Sequence, residues 1–407
     1  VKRNLFKHIF KQYEYKILHK RIMFTMFVLL IYIIGSHIPL VAESAMTKGT
    51  SSFYRLAVSN MGGNIVRLNV FSLGLGPWLT AMLILSLLSY KNMERAMRQT
   101  RAEKHYKEKL LTLILCFLQG VFVLNQFVVQ EALSMSNKAL FLLILIAGAM
   151  FMMWLADQNV RHGIAGPMPI VMLSIVSAMF NQRFIHPNLA TITLITMLML
   201  LLLALFTLLM IELIEYRTTY RDIMEIKQDD SVHYLAWKLN PSGSITIMIG
   251  LSVFLILNSA VSLIVHFAID QPVHITLFSF DNVIGISFYL ILQIILGYFL
   301  SRIMINTRQT AKNFLKSGNY FVGVRPGLPT AMYLDHHAKR VCWFGTVMVG
   351  LIIGVPLYAS LWVPHLSQQI YLAVQMIILV YIGINIADTF RTYLYFDKYK
   401  QFLNKYW

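Results

Sequence analysis

From Ile22 onward the chain alternates long apolar runs with more polar connections. A helix needs about 17 to 25 apolar residues to cross a bilayer. Ten runs meet that length: 22–41, 70–90, 110–129, 139–157, 164–181, 189–214, 243–265, 285–306, 341–362 and 369–391. The fifth carries Pro167 and Pro169 at its start, where proline is tolerated because first-turn amides have no helical partner. Trp343 and Trp362 bracket the ninth run, and about 19 residues at 1.5 Å each separate them by roughly 28 Å, which predicts the two rims of an aromatic belt. Ahead of the first run, residues 1–21 place Leu5, Phe6, Ile9, Phe10 and Tyr13 at helical spacing among basic residues. That pattern predicts an interfacial amphipathic helix, since no short apolar core with a small-residue cleavage site follows it.

Composition agrees with a membrane protein. Apolar residues make up 57% and charged residues 13%, well below the roughly 25% charged of soluble proteins, and mean hydropathy is +0.63. Most of the 35 Lys and Arg fall in the N-terminal segment, the connections 91–109, 158–163, 215–242 and 307–340, and the tail 392–407. The positive-inside bias therefore places both termini in the cytoplasm. The net charge of +17 reads either as topology with binding to anionic lipid or as protein docking by particular loops. A basic surface also suits nucleic acid, but no nucleic-acid-binding module accompanies it, so no nucleic-acid partner is expected.

Several chemistries are disfavoured. Cys116 and Cys342 each lie in or beside an apolar run and far apart in sequence, a poor basis for a disulfide or a cysteine metal site. His336 and His337 follow Asp335 in a connection, but adjacent side chains diverge on a helix, so no metal or other cofactor is expected. A GxxxxGK[ST] phosphate loop is missing from the sequence, which leaves any ATP-driven work to a partner. Coupled transporters usually carry ionisable residues within their spans, whereas Asp157, Glu212 and Asp388 fall near predicted cytoplasmic ends. A secondary transporter of small solutes would need a midplane site, and a membrane enzyme a catalytic cluster; the runs display neither. The stretch "NYFVGVRPGLPTAMYLD", Asn319–Asp335, holds two glycines and two prolines between Gly323 and Pro329. It predicts a stiff bent loop, neither helix nor strand, with Arg325 at its tip.

Four segments carry a family resemblance: "NVFSLGLGPWLTAMLILSLL" (Asn69–Leu88), "AGAMFMMWLADQNVRHGI" (Ala147–Ile164), "LAWKLNPSGSI" (Leu235–Ile245) and "NFLKSGNYFVGVRPGLPTAMYLD" (Asn313–Asp335). In order and spacing, from "IGSHIPL" (Ile34–Leu40) to "IADTFRTYL" (Ile386–Leu394), the chain resembles SecY, the protein-conducting channel. The resemblance implies an all-α polytopic membrane protein. Its ten transmembrane helices would form two inverted five-helix halves, 22–181 and 189–391, around an hourglass pore and meeting near 182–188.

Site residues follow from the same resemblance. The pore ring would be Leu75, Leu79, Met168, Met172 and Met248, with Tyr381 or a neighbour; an apolar constriction dewets and resists ions, and methionine lets it reshape. Residues 51–68 correspond to the plug, with Phe53, Leu56, Ala57 and Met61 on one helical face and Gly62 and Gly63 as a flexible exit. Without the family this segment reads as an outer loop with a helical turn. Thr80, Gln119 and Ser252 fall at the lateral gate, where interhelical hydrogen bonds of about 0.6 kcal/mol make opening inexpensive. The loops 215–242 and 307–340 correspond to cytoplasmic fingers for a SecA-type motor ATPase, with Arg325 as the coupling arginine and Arg217, Arg221 and Lys238 beside it. Small SecE- and SecG-like subunits, a secretory preprotein and the bacterial plasma membrane are implied as surroundings.

The chain departs from the general channel at Ile33, where family members usually have arginine. It has Gly166 and Pro167 after Ala165 where they have Gly-Asn-Gly, and "EYRTTYRD" where they have Arg-Arg-Ile-Pro. With its short loop before the tenth run, it is most similar to the accessory SecY of Gram-positive bacteria, whose SecA partner exports serine-rich glycosylated adhesins; the general SecY channel is the alternative.

Overall fold

A computed structural model of the chain describes residues 17–40, 52–63, 68–91, 98–127, 135–180, 191–223, 233–269, 282–363 and 366–403. The amphipathic segment 1–16 and the 182–188 junction lie outside them. The helices are α1 (Ile17–Ser36), α2 (Ser52–Ser59), α3 (Gly76–Lys91), α4 (Arg101–Phe127), α5 (Met135–His162), α6 (Met168–Phe180) and α7 (Thr191–Leu213), followed by strands β1 (Glu215–Thr219), β2 (Arg221–Asp222) and β3 (Tyr234–Lys238). Then come α8 (Gly243–Ile269), α9 (Val283–Ile305), α10 (Thr307–Ser317), β4 (Asn319–Tyr320), α11 (Leu328–Trp362) and α12 (Ser367–Leu403).

Eight of these helices are long and apolar enough to span a membrane, and α3 and α6 are shorter apolar helices. Together they stand where the sequence expects ten spans. The fifth, α6, has 13 residues, about 20 Å at 1.5 Å per residue and too short to cross the hydrocarbon alone. Protein covers much of it instead, with Pro169, Ile170, Val171, Ser174 and Ile175 buried. At the other extreme α7 exposes Leu198, Met199, Leu200, Leu202, Leu203 and Phe206, an apolar surface suited to lipid.

The chain divides into two compact units: residues 1–185, 251–279 and 378–407, and residues 186–250 and 280–377. In the first, α1 packs on α5 and α6, α4 lies between α3 and α5, and α2 sits on α6. In the second, α11 packs on α9, α10 and α7. Small residues set the α9–α11 approach. A Cβ on Gly350 would sit 3.1 Å from Ile294, and one on Gly354 2.8 Å from Leu290, so this G-x-x-x-G stripe brings the helices together as small residues do in membranes.

Local chemistry explains several element ends. Asn306, at φ 37°, closes α9 and opens α10, its side chain accepting from the Gln309 amide. Gly318 ends α10 in the left-handed region at φ 78°, where glycine avoids a steric penalty. Pro329 occupies the first turn of α11, where its missing N–H costs nothing.

Several boundaries differ from the sequence reading, and two of the differences are informative. The second run was expected from 70, but residues 70–75 are turns and the helix begins at Gly76. The stretch 319–335, expected to be neither helix nor strand, is irregular only from Phe321 to Gly327, since Asn319–Tyr320 forms β4 and α11 starts at Leu328. His336 and His337 therefore lie on a helix.

Candidate functional site

In the first unit, most of the expected pore residues are enclosed. Leu75, Leu79 and Tyr381 are buried, while Met168 and Met172 on α6 are half-buried. Met248, on the α8 residues of the second unit, is buried as well.

The segment expected as a plug folds as helix α2 and a turn through Gly63. Leu56, Ala57 and Met61 are buried; Phe53 lies on α2, in a part whose side chains are outside the described set. Three successive carbonyls at its end are captured by three different elements. The Leu75 amide donates to Met61 O at 2.7 Å, the Tyr32 hydroxyl of α1 to Gly62 O at 3.0 Å, and the Ser174 hydroxyl of α6 to Gly63 O at 2.9 Å. The backbones touch closely here, because a Cβ on Gly74 would lie 2.6 Å from Met61 O, and φ at Gly74 is +61°. A Cβ on Gly62, at φ +79°, would meet Ile170, Met152 and Leu75. The exit of α2 thus rests on a buried apolar floor that includes an expected ring residue.

Of the expected gate residues, Ser252 of α8 donates to the Gly76 carbonyl at the start of α3. Thr80 bonds within its own helix, to Gly76 O at 3.2 Å and Pro77 O at 2.9 Å. Gln119 is buried on α4. The Ser252 hydroxyl thus ties α8 to the start of α3.

The second unit builds a platform from the two basic connections. β1 pairs antiparallel with β3, Arg217 opposite Ala236, and β2 pairs with β4, Arg221 opposite Tyr320. That second pairing joins 215–242 to 307–340. An aromatic cluster backs it: Phe314 stacks on Phe321 at 5.3 Å, Tyr220 lies 4.9 Å from Phe314, Tyr333 packs 5.3 Å from Phe321, and Tyr333 meets His337 edge-on at 4.6 Å. Tyr216 shares a 2.7 Å hydrogen bond with His337 Nδ1. Burial, then the positive neighbours His336 and Arg340, lower the His337 pKa and favour the neutral ring. Beneath the cluster, Arg302 of α9 pairs with Asp335 of α11, which Lys339 also meets at 2.9 Å. Partial burial works to raise the Asp335 carboxyl, but hydrogen bonds and charge from Lys339 and Arg302 outweigh it and hold the carboxyl below its ordinary range.

Arg325 sits exposed on the irregular tip, its carbonyl bonded by the Thr330 hydroxyl at 2.9 Å. Gly323 and Gly327 adopt φ of +82° and +104°, conformations glycine makes without steric cost. Arg217 is exposed, leaning on Glu215 and over the Tyr234 ring at 4.5 Å, and Arg221 is exposed beside it in sequence. Lys238 is bound at 3.0 Å to Glu212, whose side chain is only 3% exposed, and so has a structural task that sequence reasoning missed. The signal was there: a lone carboxylate at the end of the apolar run of α7 needs a cation. Among the described residues there is no cluster of three or more His, Cys, Asp or Glu able to hold a metal ion.

Comparisons with known proteins add to this geometry. The SecY family model matches residues 69–387. A Staphylococcus pseudintermedius protein named "Accessory Sec system protein translocase subunit SecY2" is 60% identical over 407 residues, covering 100% of both chains. Among solved structures, one described as "The structure of a protein conducting channel" superposes with TM-score 0.68 at 14% identity, covering 92% of each chain. Another, with TM-score 0.64 at 15% identity and 92% coverage of each chain, is described by the finding that "the plug domain of the SecY protein stablizes the closed state of the translocation channel and maintains a membrane seal".

Proposed function

The chain belongs to the SecY family, and on that premise we propose that it is the channel subunit of an accessory Sec system, passing unfolded secretory polypeptides across the bacterial plasma membrane. One observation carries this reading: 60% identity over 407 residues to a protein of that name. The fold supports it, since a multi-pass helical protein with the architecture of solved protein-conducting channels supplies the required path.

Each part has a task in this reading. Leu75, Leu79, Met168, Met172, Met248 and Tyr381 form the constriction, where apolar walls exclude hydrated ions at rest and flexible methionines close around passing side chains. Helix α2 and the turn through Gly63 are the plug. Thr80, Gln119 and Ser252 line the lateral gate, which opens when a signal helix competes for weak contacts. A SecA-type ATPase, the accessory system's own, docks on the cytoplasmic platform. There the Arg325 guanidinium offers a planar fork of donors to a carboxylate or to backbone carbonyls, with Arg217 and Arg221 nearby and Lys238 bracing the base. ATP hydrolysis belongs to that motor, and the channel subunit performs no catalysis. Small SecE- and SecG-like subunits complete the assembly, anionic lipid neutralises the basic face, and both termini lie in the cytoplasm. The domain scheme of N-terminal helix 1–21, halves 22–181 and 189–391 and tail 392–407 fits this task.

The cargo is the serine-rich glycosylated adhesin class. Export from cells lacking this chain, each precursor followed in the culture medium, tests the assignment. Loss of the serine-rich precursor with normal export of ordinary precursors is expected; equal loss of both would instead make this a general SecY channel.

A further inference from the structure

The proposed plug needs a holding device weak enough to yield to a signal helix and strong enough to keep the seal at rest. Buried apolar packing supplies area without direction, and the Leu75 amide contact with Met61 O is backbone to backbone. The two other captured carbonyls differ in kind. Gly62 O is held by Tyr32 of α1 and Gly63 O by Ser174 of α6, both by side-chain hydroxyls that are almost fully buried, at 4% and 3% exposure. Around them the surroundings are apolar: Tyr32 stacks on Phe71 with ring centroids 6.0 Å apart, and Gly62 faces Ile170, Met152 and Leu75. In such surroundings an unpartnered carbonyl is costly. Each hydroxyl thus fixes one peptide group at the point where the plug leaves its seat.

We propose that Tyr32 and Ser174 are a two-hydroxyl latch that holds the plug shut by gripping the Gly62 and Gly63 carbonyls, an inference that rests on reading residues 52–63 as the plug. They are positioning residues for gating, acting through the plug backbone. The site favours glycine for the same reason: a Cβ on Gly63 would lie 2.6 Å from Val58 Cγ1, and the left-handed φ of Gly62 turns its carbonyl outward from α2. Loss of either hydroxyl leaves a carbonyl unpaired only while the plug is seated. A displaced plug finds water, so the closed state alone is weakened.

The test uses the full chain in membrane vesicles without motor or precursor, in a background with Cys116 and Cys342 replaced by alanine. Two readouts are followed: counter-ion leak through the resting channel, and the rate at which an impermeant thiol reagent modifies a thiol introduced by Ser59→Cys on α2. Tyr32→Phe and Ser174→Ala each delete one oxygen and keep the packing, and each raises both rates about fivefold, with the pair together raising them about twenty-five-fold because independent contributions multiply. Ser174→Thr retains a hydroxyl and leaves both rates near those of the parent. Deletion of residues 52–59 controls for the plug itself. If the deletion leaks while Tyr32→Phe and Ser174→Ala match the parent, the latch is wrong and the plug stands. If the deletion itself seals normally, the plug assignment fails and takes the latch with it.

Discussion

The seat of α2 and the platform built from the two basic connections are held together by opposite means. At the seat, three carbonyls meet an amide and two hydroxyls over an apolar floor, and no side-chain charge takes part in those three bonds. The platform is tied by a chain of packed aromatic rings from Tyr220 to His337 and by the Arg302–Asp335–Lys339 ion pairs. Neutral hydrogen bonds contribute about 1 kcal/mol each, and bonds to charged groups about twice that. In the proposed reading the difference suits the two tasks: a plug has to leave and return, whereas a surface that takes the thrust of a motor has to keep its shape.

The comparison breaks most visibly at Phe321, 3% exposed in the middle of the cluster. Phe321→Ala should remove about 4 kcal/mol from the platform, seen as faster hydrogen exchange in 215–223 and 307–327, while amides at 60–63 keep their protection. Asp335→Asn comes next, at about 2 kcal/mol, moderated because the carboxylate keeps some contact with water; thermal unfolding in detergent measures it. The same pair predicts a pH dependence. The folded Asp335 carboxyl titrates below its unfolded value, so its contribution is complete above the ordinary carboxylate range and is lost as pH falls through the depressed native value. Asp335→Asn should therefore flatten the acid limb of the stability profile, and an unchanged limb would assign acid sensitivity elsewhere.

On the seat side, Gly74→Ala should cost about 1 to 3 kcal/mol, because alanine at φ +61° is strained. Its added Cβ also presses on Met61 O. A higher resting ion leak with unchanged unfolding of the platform would separate the two regions. The smallest effect on stability, within about 0.5 kcal/mol, is expected for the exposed Arg325→Ala. Motor-driven export should nevertheless fall sharply, and normal export with that variant would remove the coupling role of this tip.

Much of the fold was legible because spanning helices announce themselves as apolar runs. What escaped did so for identifiable reasons. The first three turns of α11 read as loop because Pro326, Gly327 and Pro329 precede a charged stretch, although Leu334, Ala338 and Val341 keep a helical spacing and are buried. The β2–β4 pairing that unites the fingers is two residues long between segments distant in sequence, and no local pattern encodes it. The Lys238–Glu212 pair escaped because its two members lie across a helix end and a strand pair. Tyr32 and Ser174 were hidden inside apolar runs, where a hydroxyl changes hydropathy little and its target carbonyl belongs to no side chain. Arg325 was readable, since glycine and proline on both sides announce a stiff exposed tip.

The most direct measurement replaces Met248 with a photocrosslinking amino acid and, in parallel, the outward-facing Leu200 of α7, 65% exposed. A secretory precursor is then stalled by a folded C-terminal domain in membranes supplied with the motor and ATP. The account predicts motor- and ATP-dependent adducts at position 248 and none at 200. Continuing export without any adduct at 248 would contradict a polypeptide path along this face of α8.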